Sequence, residues 1–142
     1  MSPVIFNNKW EKIMSQVKIY GLRENFIDKK QLLSDAIHHC IVEALQFPKN
    51  KRAHRFINLE KDDFYYPEGR TEKYVIIEIM MMTGRTTETK KKLIKMLFKE
   101  ISEKVTISTH DIEILILESS SSNWGFRGMT GDEVSLNYKV EV

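Results

Sequence analysis

The sequence is poor in the features that mark several large classes of protein. Cys40 is the single cysteine among 142 residues, so no internal disulfide can form, and its place in an apolar helical pattern predicts a buried, unreactive thiol in a reducing compartment. No stretch approaches the roughly 18 consecutive apolar residues of a membrane span, since Glu78 interrupts the longest apolar run. The amino-terminal residues 1–13 lack the apolar core of a secretory signal. We therefore expect a cytoplasmic protein with no membrane partner.

An excess of either charge is also missing. The chain has 22 Lys+Arg against 20 Asp+Glu, whereas a duplex-binding domain usually carries a basic stripe, so nucleic acid is not an expected partner. His54 and His110 have no Cys or carboxylate at zinc-ligand spacing, and no phosphate-cradling glycine motif or Ser–His nucleophile signature occurs. We expect no metal and no other cofactor. His38 and His39, adjacent on a helix and off its apolar stripe, are predicted to be solvated.

The apolar pattern that is present predicts strand, helix and strand, twice over. In the first half the strands are Gln16 to Leu22 and Arg55 to Leu59, and a capping box of Asp28 and Gln31 opens a helix that Phe47–Pro48 ends. In the second half a strand from Lys73 to Met82 precedes a helix starting at Thr86 or Thr87, and a strand from Ile112 to Leu117 follows it.

The two predicted helices have matching apolar positions. A shift of 61 residues places the first four-residue set over the second: Leu32, Leu33, Ala36 and Ile37 over Leu93, Ile94, Leu97 and Phe98. Duplicated β-α-β units predict an α+β fold in which a four-stranded mixed sheet carries two helices on one face. The other sheet face is then uncovered, and its apolar strands predict an oligomer.

The chain ends are predicted to differ from this core. Residues 1–14 form an extension before a single domain that spans residues 15–142. The tail alternates apolar and polar residues from Val134 to Val142, which predicts a strand. That strand either pairs with the sheet edge of a neighbouring subunit or folds back as an edge strand of its own subunit.

Three features are candidates for binding a ligand. Arg85 lies between a buried strand and the start of a helix, where the helix dipole disfavours a cation, so its partner is a bound carboxylate or an intramolecular Glu or Asp. Trp124 and Phe126 lie in a polar, Gly-containing loop, where they either line a pocket or anchor another subunit. The basic cluster Lys49 to Arg55 and the aromatic stretch Phe64 to Tyr66 are further candidates for shaping a pocket.

In these motifs the chain resembles the tautomerase superfamily, within it the group around malonate semialdehyde decarboxylase. The resemblance runs from Ser15 to Asp132 and rests on the duplicated plan and on motifs in the same order and spacing: Asp35-Ala36-Ile37-His38, Phe47-Pro48, Gly84-Arg85-Thr86, Trp124-Gly125-Phe126 and Thr130-Gly131-Asp132. It implies a homotrimer whose sites bind small 2-oxo or 3-oxo acids or their enols.

The resemblance also implies roles for individual residues. Arg85 matches the arginine that holds the substrate carboxylate, and Trp124 and Phe126 match aromatic residues that enclose the pocket. The site carboxylate of the decarboxylase falls at Lys51, which becomes a substrate-binding candidate, and a partner arginine falls at Thr83. These two departures argue against water-adding or decarboxylating chemistry.

The family's amino-terminal proline, whose secondary amine is the general acid or base, falls at Ser15. Pro3 cannot replace it, because its nitrogen is tied up in a peptide bond. The codons for Trp10-Glu11 must contain a purine-rich GGGA two codons before Met14, so we expect that translation starts at Met14 and that its removal exposes a Ser15 amine. The predicted function is a tautomerase-like enzyme with a weak base, and the alternative is a trimeric acid-binding protein without catalysis.

Overall fold

The computed structural model describes residues 15–133. The predicted extension at residues 1–14 and the predicted tail strand lie outside the described residues. The main strands are β1 (Ser15–Leu22), β2 (His54–Leu59), β3 (Val75–Met82) and β4 (Ile112–Ser119), and the two long helices are α1 (Lys30–Leu45) and α2 (Thr87–Lys104). The short elements are a helical turn at Arg23–Phe26, the ribbon strands β5 (Gly125–Phe126) and β6 (Met129–Thr130), and 3-10 turns at Lys61–Asp63, Thr109–Asp111 and Ser121–Asn123.

The four main strands form one mixed sheet in the order β2-β1-β3-β4. β1 is parallel to β2 and β3 is parallel to β4, while β1 and β3 are antiparallel at the centre. Each parallel pair is joined through one long helix, so the chain is two β-α-β units joined antiparallel. The predicted α+β fold is confirmed.

Alternation along the strands and helical spacing along α1 and α2 build one core between the sheet and the two helices. The inward strand residues include Val17, Ile19, Ile77, Ile79 and Met81, and the inward helix residues include Leu33, Ile37, Ile41, Leu93, Leu97 and Ile101. Cys40 is also buried there, and burial raises the pKa of its thiol to about 12. The thiol is therefore protonated at neutral pH.

The repeat has a spacing of 60 residues rather than the predicted 61. β1 and β3 begin at Ser15 and Val75 and share one pattern of buried and half-buried residues. Leu33 therefore corresponds to Leu93, whereas Leu32 is 52% exposed and belongs to no core position. The same spacing extends into the loops, because the 3-10 turns Lys61–Asp63 and Ser121–Asn123 are also 60 residues apart.

The two helix starts are capped differently. The predicted box at Asp28 is wrong: the N-cap of α1 is Lys29, which makes no side-chain cap bond, and Gln31 donates instead to Asp35 at 3.0 Å. At α2 the N-cap is Thr86, whose hydroxyl oxygen accepts from the Thr89 N–H at 3.1 Å. The predicted start of the second helix is confirmed.

The sheet face turned away from the helices, which we call the open sheet face, mixes apolar and charged side chains. Its exposed apolar residues are Leu115 (49%) and Leu117 (42%) of β4. At its centre the Tyr20 hydroxyl donates to Glu78 at 2.8 Å, and that hydrogen bond is the main cause that raises the pKa of Tyr20. In the subunit alone this face is only partly covered.

Candidate functional site

The strand directions bring the predicted site residues to one end of the sheet, which we call the Ser15 end. β1 and β2 begin there, and β3 and β4 finish there. The segments before β2 and after β3 and β4 therefore meet around the start of β1, on strands about 4.7–4.9 Å apart. Lys51, Ser15, Arg85 and Trp124 lie on these four segments in the order of the strands across the sheet.

Ser15 occupies the first position of β1 and pairs with Met81 of β3. It is only 8% exposed, and its hydroxyl oxygen is buried without a hydrogen-bond partner among the described residues. A narrow crevice beside it, between the sheet and α1, is lined by Ser15, His38, Phe47, Lys51 and His54. The structure thus brings Ser15 and Lys51 together.

Two histidines that sequence reasoning set aside line the same crevice. The prediction that His38 is solvated is wrong: it is buried, and its Nε2 donates to the Lys49 carbonyl at 2.8 Å, a loop partner that helical periodicity does not reveal. His54 shares a 2.8 Å hydrogen bond between its Nδ1 and the Ser34 hydroxyl. The two rings meet edge to face at 6.0 Å. The available signal was the phase of His54, which shares the inward face of β2 with Phe56.

The basic cluster from Lys49 to Arg55 is divided by its contacts. Arg52 forms a 2.7 Å ion pair with Asp35, which together with the Gln31 bond lowers the pKa of Asp35. Arg55 donates to Gln16 at 3.0 Å. Lys51 makes no ion pair within residues 15–133. Among these three cations, Lys51 is the one whose charge an acidic side chain or amide does not offset there.

Arg85 lies in the tight connection between β3 and α2. The connection leaves the sheet at Thr83, whose N–H donates to the Ser119 carbonyl at 3.0 Å. Gly84 follows with φ 147°, a conformation that residues with a side chain rarely adopt. Arg85 is half-buried, with its Nε atom enclosed, and immediately precedes the Thr86 cap of α2. Its guanidinium is therefore held near the helix start.

The loop after β4 is tied to the same end of the sheet. The Trp124 indole N–H donates to the Ser119 carbonyl at 3.3 Å, and the Gly131 N–H donates to the Trp124 carbonyl at 2.8 Å. Gly131 has no room for a Cβ atom, because that atom would collide with the Ser121 carbonyl and the Met82 side chain. Trp124 and Phe126 are consequently half-buried beside the finish of β3.

The aromatic stretch Phe64 to Tyr66 is not part of this end. It follows β2 at the opposite end of the sheet, where Phe64 stacks on Tyr74 at 5.5 Å between ring centroids. The prediction that it helps to shape the pocket is wrong for the single chain. Burial is the main cause that raises the pKa of Tyr74 there to about 12.

Comparison with known families identifies the fold and site arrangement. The family described as "Tautomerase enzyme" matches residues 51–127, which is more than half of the chain. The chain belongs to the tautomerase family. The match includes Lys51, Arg85, Trp124 and Phe126, and the superfamily predicted from the sequence motifs is confirmed.

Among individual tautomerases, the chain is 26% identical over 101 residues to the "Probable tautomerase YusQ" of Bacillus subtilis strain 168, covering 68% of this chain and 80% of that protein. The crystal structure of a malonate semialdehyde decarboxylase has a TM-score of 0.75 at 20% identity, covering 86% and 98% of the two chains. A fused 4-OT solved as an asymmetric trimer has a TM-score of 0.75 at 18% identity, covering 84% and 98%. These structures share the fold.

Two searches of residues 15–133 found nothing of the kind sought. The described part of the chain has no helix that is long and apolar enough to cross a membrane. Within the same residues, no three His, Cys, Asp or Glu side chains are grouped so that they could hold a metal ion.

Proposed function

We propose that this tautomerase-family protein binds small 2-oxo or 3-oxo acids, or their enols, at the Ser15 end and acts in the cytoplasm. The observation that supports the proposal is the topology of the sheet, which gathers Ser15, Lys51, Arg85 and the Trp124–Phe126 loop around one strand end. A cation, half-buried aromatic rings and a buried polar group are the elements that a site for a small organic acid requires.

In this proposal Arg85 holds the carboxylate of the acid. A guanidinium matches a carboxylate with two parallel hydrogen bonds, which fix the orientation as well as the position of the ligand. Lys51, on the other side of Ser15, adds positive charge without an acidic partner among the described residues. Trp124 and Phe126 cover the carbon frame of the acid and exclude water from it.

The Ser15 amine is the proposed proton carrier in the form of the protein that begins at Ser15. A free α-amine has a reference pKa of about 7.7 to 8.0 and is partly neutral at physiological pH. Burial of Ser15 and nearby cations disfavour the ammonium form further. A primary amine is less rigidly aimed than the ring nitrogen of proline, so we expect slow keto–enol conversion.

A binding protein without catalysis is the second candidate. It is favoured by the serine, in place of proline, at the start of β1 and by the sequence Met14-Ser15, in which the Ser15 nitrogen is an amide whenever Met14 is retained. An amide nitrogen has no basic lone pair. The same ligand would then bind without losing a proton.

We also propose that the protein is a homotrimer that covers the open sheet face. Lys18 and Arg55 lie on the β1–β2 half of this face, and Glu78 and Glu113 lie on the β3–β4 half. Opposite charges on two halves of one face favour head-to-tail packing, which closes into a ring. The trimeric fused 4-OT with this fold supports the number three.

The deciding experiment measures ketonisation of phenylenolpyruvate with two forms of the protein, one beginning at Ser15 and one at Ser2. Activity confined to the Ser15 form, and lost in Arg85→Ala, is the expected result. Phenylpyruvate binding in both forms without turnover would support the binding protein instead. Absence of both binding and turnover would overturn the proposal.

A further inference from the structure

We propose that His54 donates a hydrogen bond to the oxo or enolate oxygen of the bound acid, at the mouth of the crevice beside Ser15. The inference rests on the proposed function, because it names the group that recognises the second functional group of the acid. Arg85 recognises the carboxylate, and His54 recognises the oxygen that changes between keto and enol.

The position of His54 is fixed by the sheet. It is the first residue of β2 and pairs with Val17 of β1, while the Val17 N–H donates to the Ala53 carbonyl at 2.9 Å. Ser15, Val17 and His54 therefore share the inward face of neighbouring strands. The crevice that they line opens where Lys51 and Ala53 are exposed. It is too narrow for a water molecule as it stands, so a ligand oxygen meets the imidazole at the opening.

The neighbours of His54 determine which ring nitrogen carries the proton. Its Nδ1 lies 2.8 Å from the Ser34 hydroxyl, which already accepts a hydrogen bond from Arg52 at 3.3 Å. We assign the Ser34 proton to the bond with Nδ1, because the donation from Arg52 leaves this hydroxyl free to donate. The proton of a neutral His54 then lies on Nε2, which has no hydrogen bond among the described residues.

The same surroundings keep the ring neutral. Burial is the main cause that lowers the pKa of His54 to about 4, and the nearby Arg52 and His38 lower it further while Asp35 opposes them. A neutral imidazole keeps its N–H while the enolate forms, so it donates without transferring a proton. Donors aimed at an oxygen where negative charge develops are among the strongest contributions to catalysis.

Two unfulfilled polar groups point to a ligand at this place. The Ser15 hydroxyl is more than nine-tenths buried and lacks a partner among the described residues, and His54 presents an unused N–H to the same crevice. Buried polar groups normally have hydrogen-bond partners. An oxygen between them would satisfy both, and the exposed ammonium of Lys51 would add charge.

The test compares two acids that differ only in the oxo group, phenylpyruvate and 3-phenylpropanoate, by calorimetric titration. We expect phenylpyruvate to bind more tightly to the wild-type protein. His54→Leu should reduce that preference roughly three- to tenfold, which corresponds to one hydrogen bond. His54→Gln, which keeps an N–H near the position of Nε2, should restore part of it. His110→Leu, an exposed histidine at the opposite end of the sheet, serves as the matched control.

A second measurement does not depend on the variants being folded. In the wild-type protein the nitrogen resonances of the His54 ring should shift on adding phenylpyruvate and not on adding 3-phenylpropanoate. Equal affinities for the two acids, or an unchanged preference in a folded His54→Leu protein, would overturn the role of His54 and leave the proposed function standing. Binding of neither acid would overturn both.

Discussion

Lys18 of β1 pairs with Glu78 of β3, and the two residues occupy the same position of the 60-residue repeat. Equivalent positions that face each other define a local twofold axis, which passes between these two residues. The opposite charges at this axis also form the boundary between the basic and acidic halves of the open sheet face.

The spacing of the repeat predicts which of two adjacent leucines carries the core of α1. Leu33 is fully buried and Leu32 is half exposed. Leu33→Ala should therefore reduce the free energy of unfolding by about 2–5 kcal/mol, whereas Leu32→Ala should stay within about 1 kcal/mol of the wild type. Urea unfolding followed by circular dichroism measures both. Equal losses would contradict the 60-residue alignment.

Apolar periodicity was sufficient to predict the strands, the helices and their order, but not this alignment. The doublets Leu32-Leu33 and Leu93-Ile94 can be superimposed in two ways, and each places apolar residues over apolar residues. Only packing against the sheet distinguishes them, because adjacent helical residues point about 100° apart.

The candidate site was partly predictable for the same physical reason. Arg85, Trp124 and Phe126 lie in segments that break the apolar pattern, so the sequence exposes them as unusual. His38 and His54 do not: His38 is buried by the carbonyl of a loop residue, Lys49, and His54 by a hydroxyl on a helix, Ser34. Such partners come together only in the folded chain.

Removal of the guanidinium of Arg85 should weaken acid binding. Arg85→Ala is expected to raise the Kd for phenylpyruvate by roughly tenfold or more, since a hydrogen bond to a charged group contributes about 1.5–3 kcal/mol. Arg23→Ala is the matched control, because Arg23 pairs with Glu60 on the surface at the opposite end. A similar loss in both variants would indicate a general electrostatic effect rather than a carboxylate site.

Proline at position 15 should increase activity in the form that begins there. Ser15→Pro supplies a more rigid and more basic amine, so ketonisation of phenylenolpyruvate should become faster than in the Ser15 form while phenylpyruvate affinity changes little. The rate is followed by the absorbance of the enol. No gain in rate, with ligand binding intact, would show that other site residues limit the chemistry.

The buried state of His54 predicts a dependence of stability on pH. Its pKa in the folded protein is about 4, below the ordinary value of 6.5, so the unfolded chain binds the additional proton between these values. The stabilisation is present above about pH 6.5 and is lost as the pH falls towards 4. Urea midpoints at pH 7, 6, 5 and 4 should decline less steeply for His54→Leu than for the wild type or His110→Leu. Parallel curves would contradict the assignment.

Charge introduced on the open sheet face should separate the subunits. Leu115→Lys places an ammonium among exposed apolar side chains of β4, where an interface would have to desolvate it. We expect the mass measured by light scattering to fall to about one third in this variant. Leu32→Lys, at an exposed leucine of α1, should leave the mass unchanged. A monomeric wild-type protein would refute the trimer.

The repeat gives the sheet a second end that corresponds to the Ser15 end. There Val75 takes the place of Ser15, Asn25 takes the place of Arg85, and Phe64 takes the place of Trp124. The Asn25 amide donates to the Lys73 carbonyl, and Phe64 packs on Tyr74. These groups are occupied in holding the chain together, so a duplicated architecture should still bind acid with a stoichiometry of one molecule per chain.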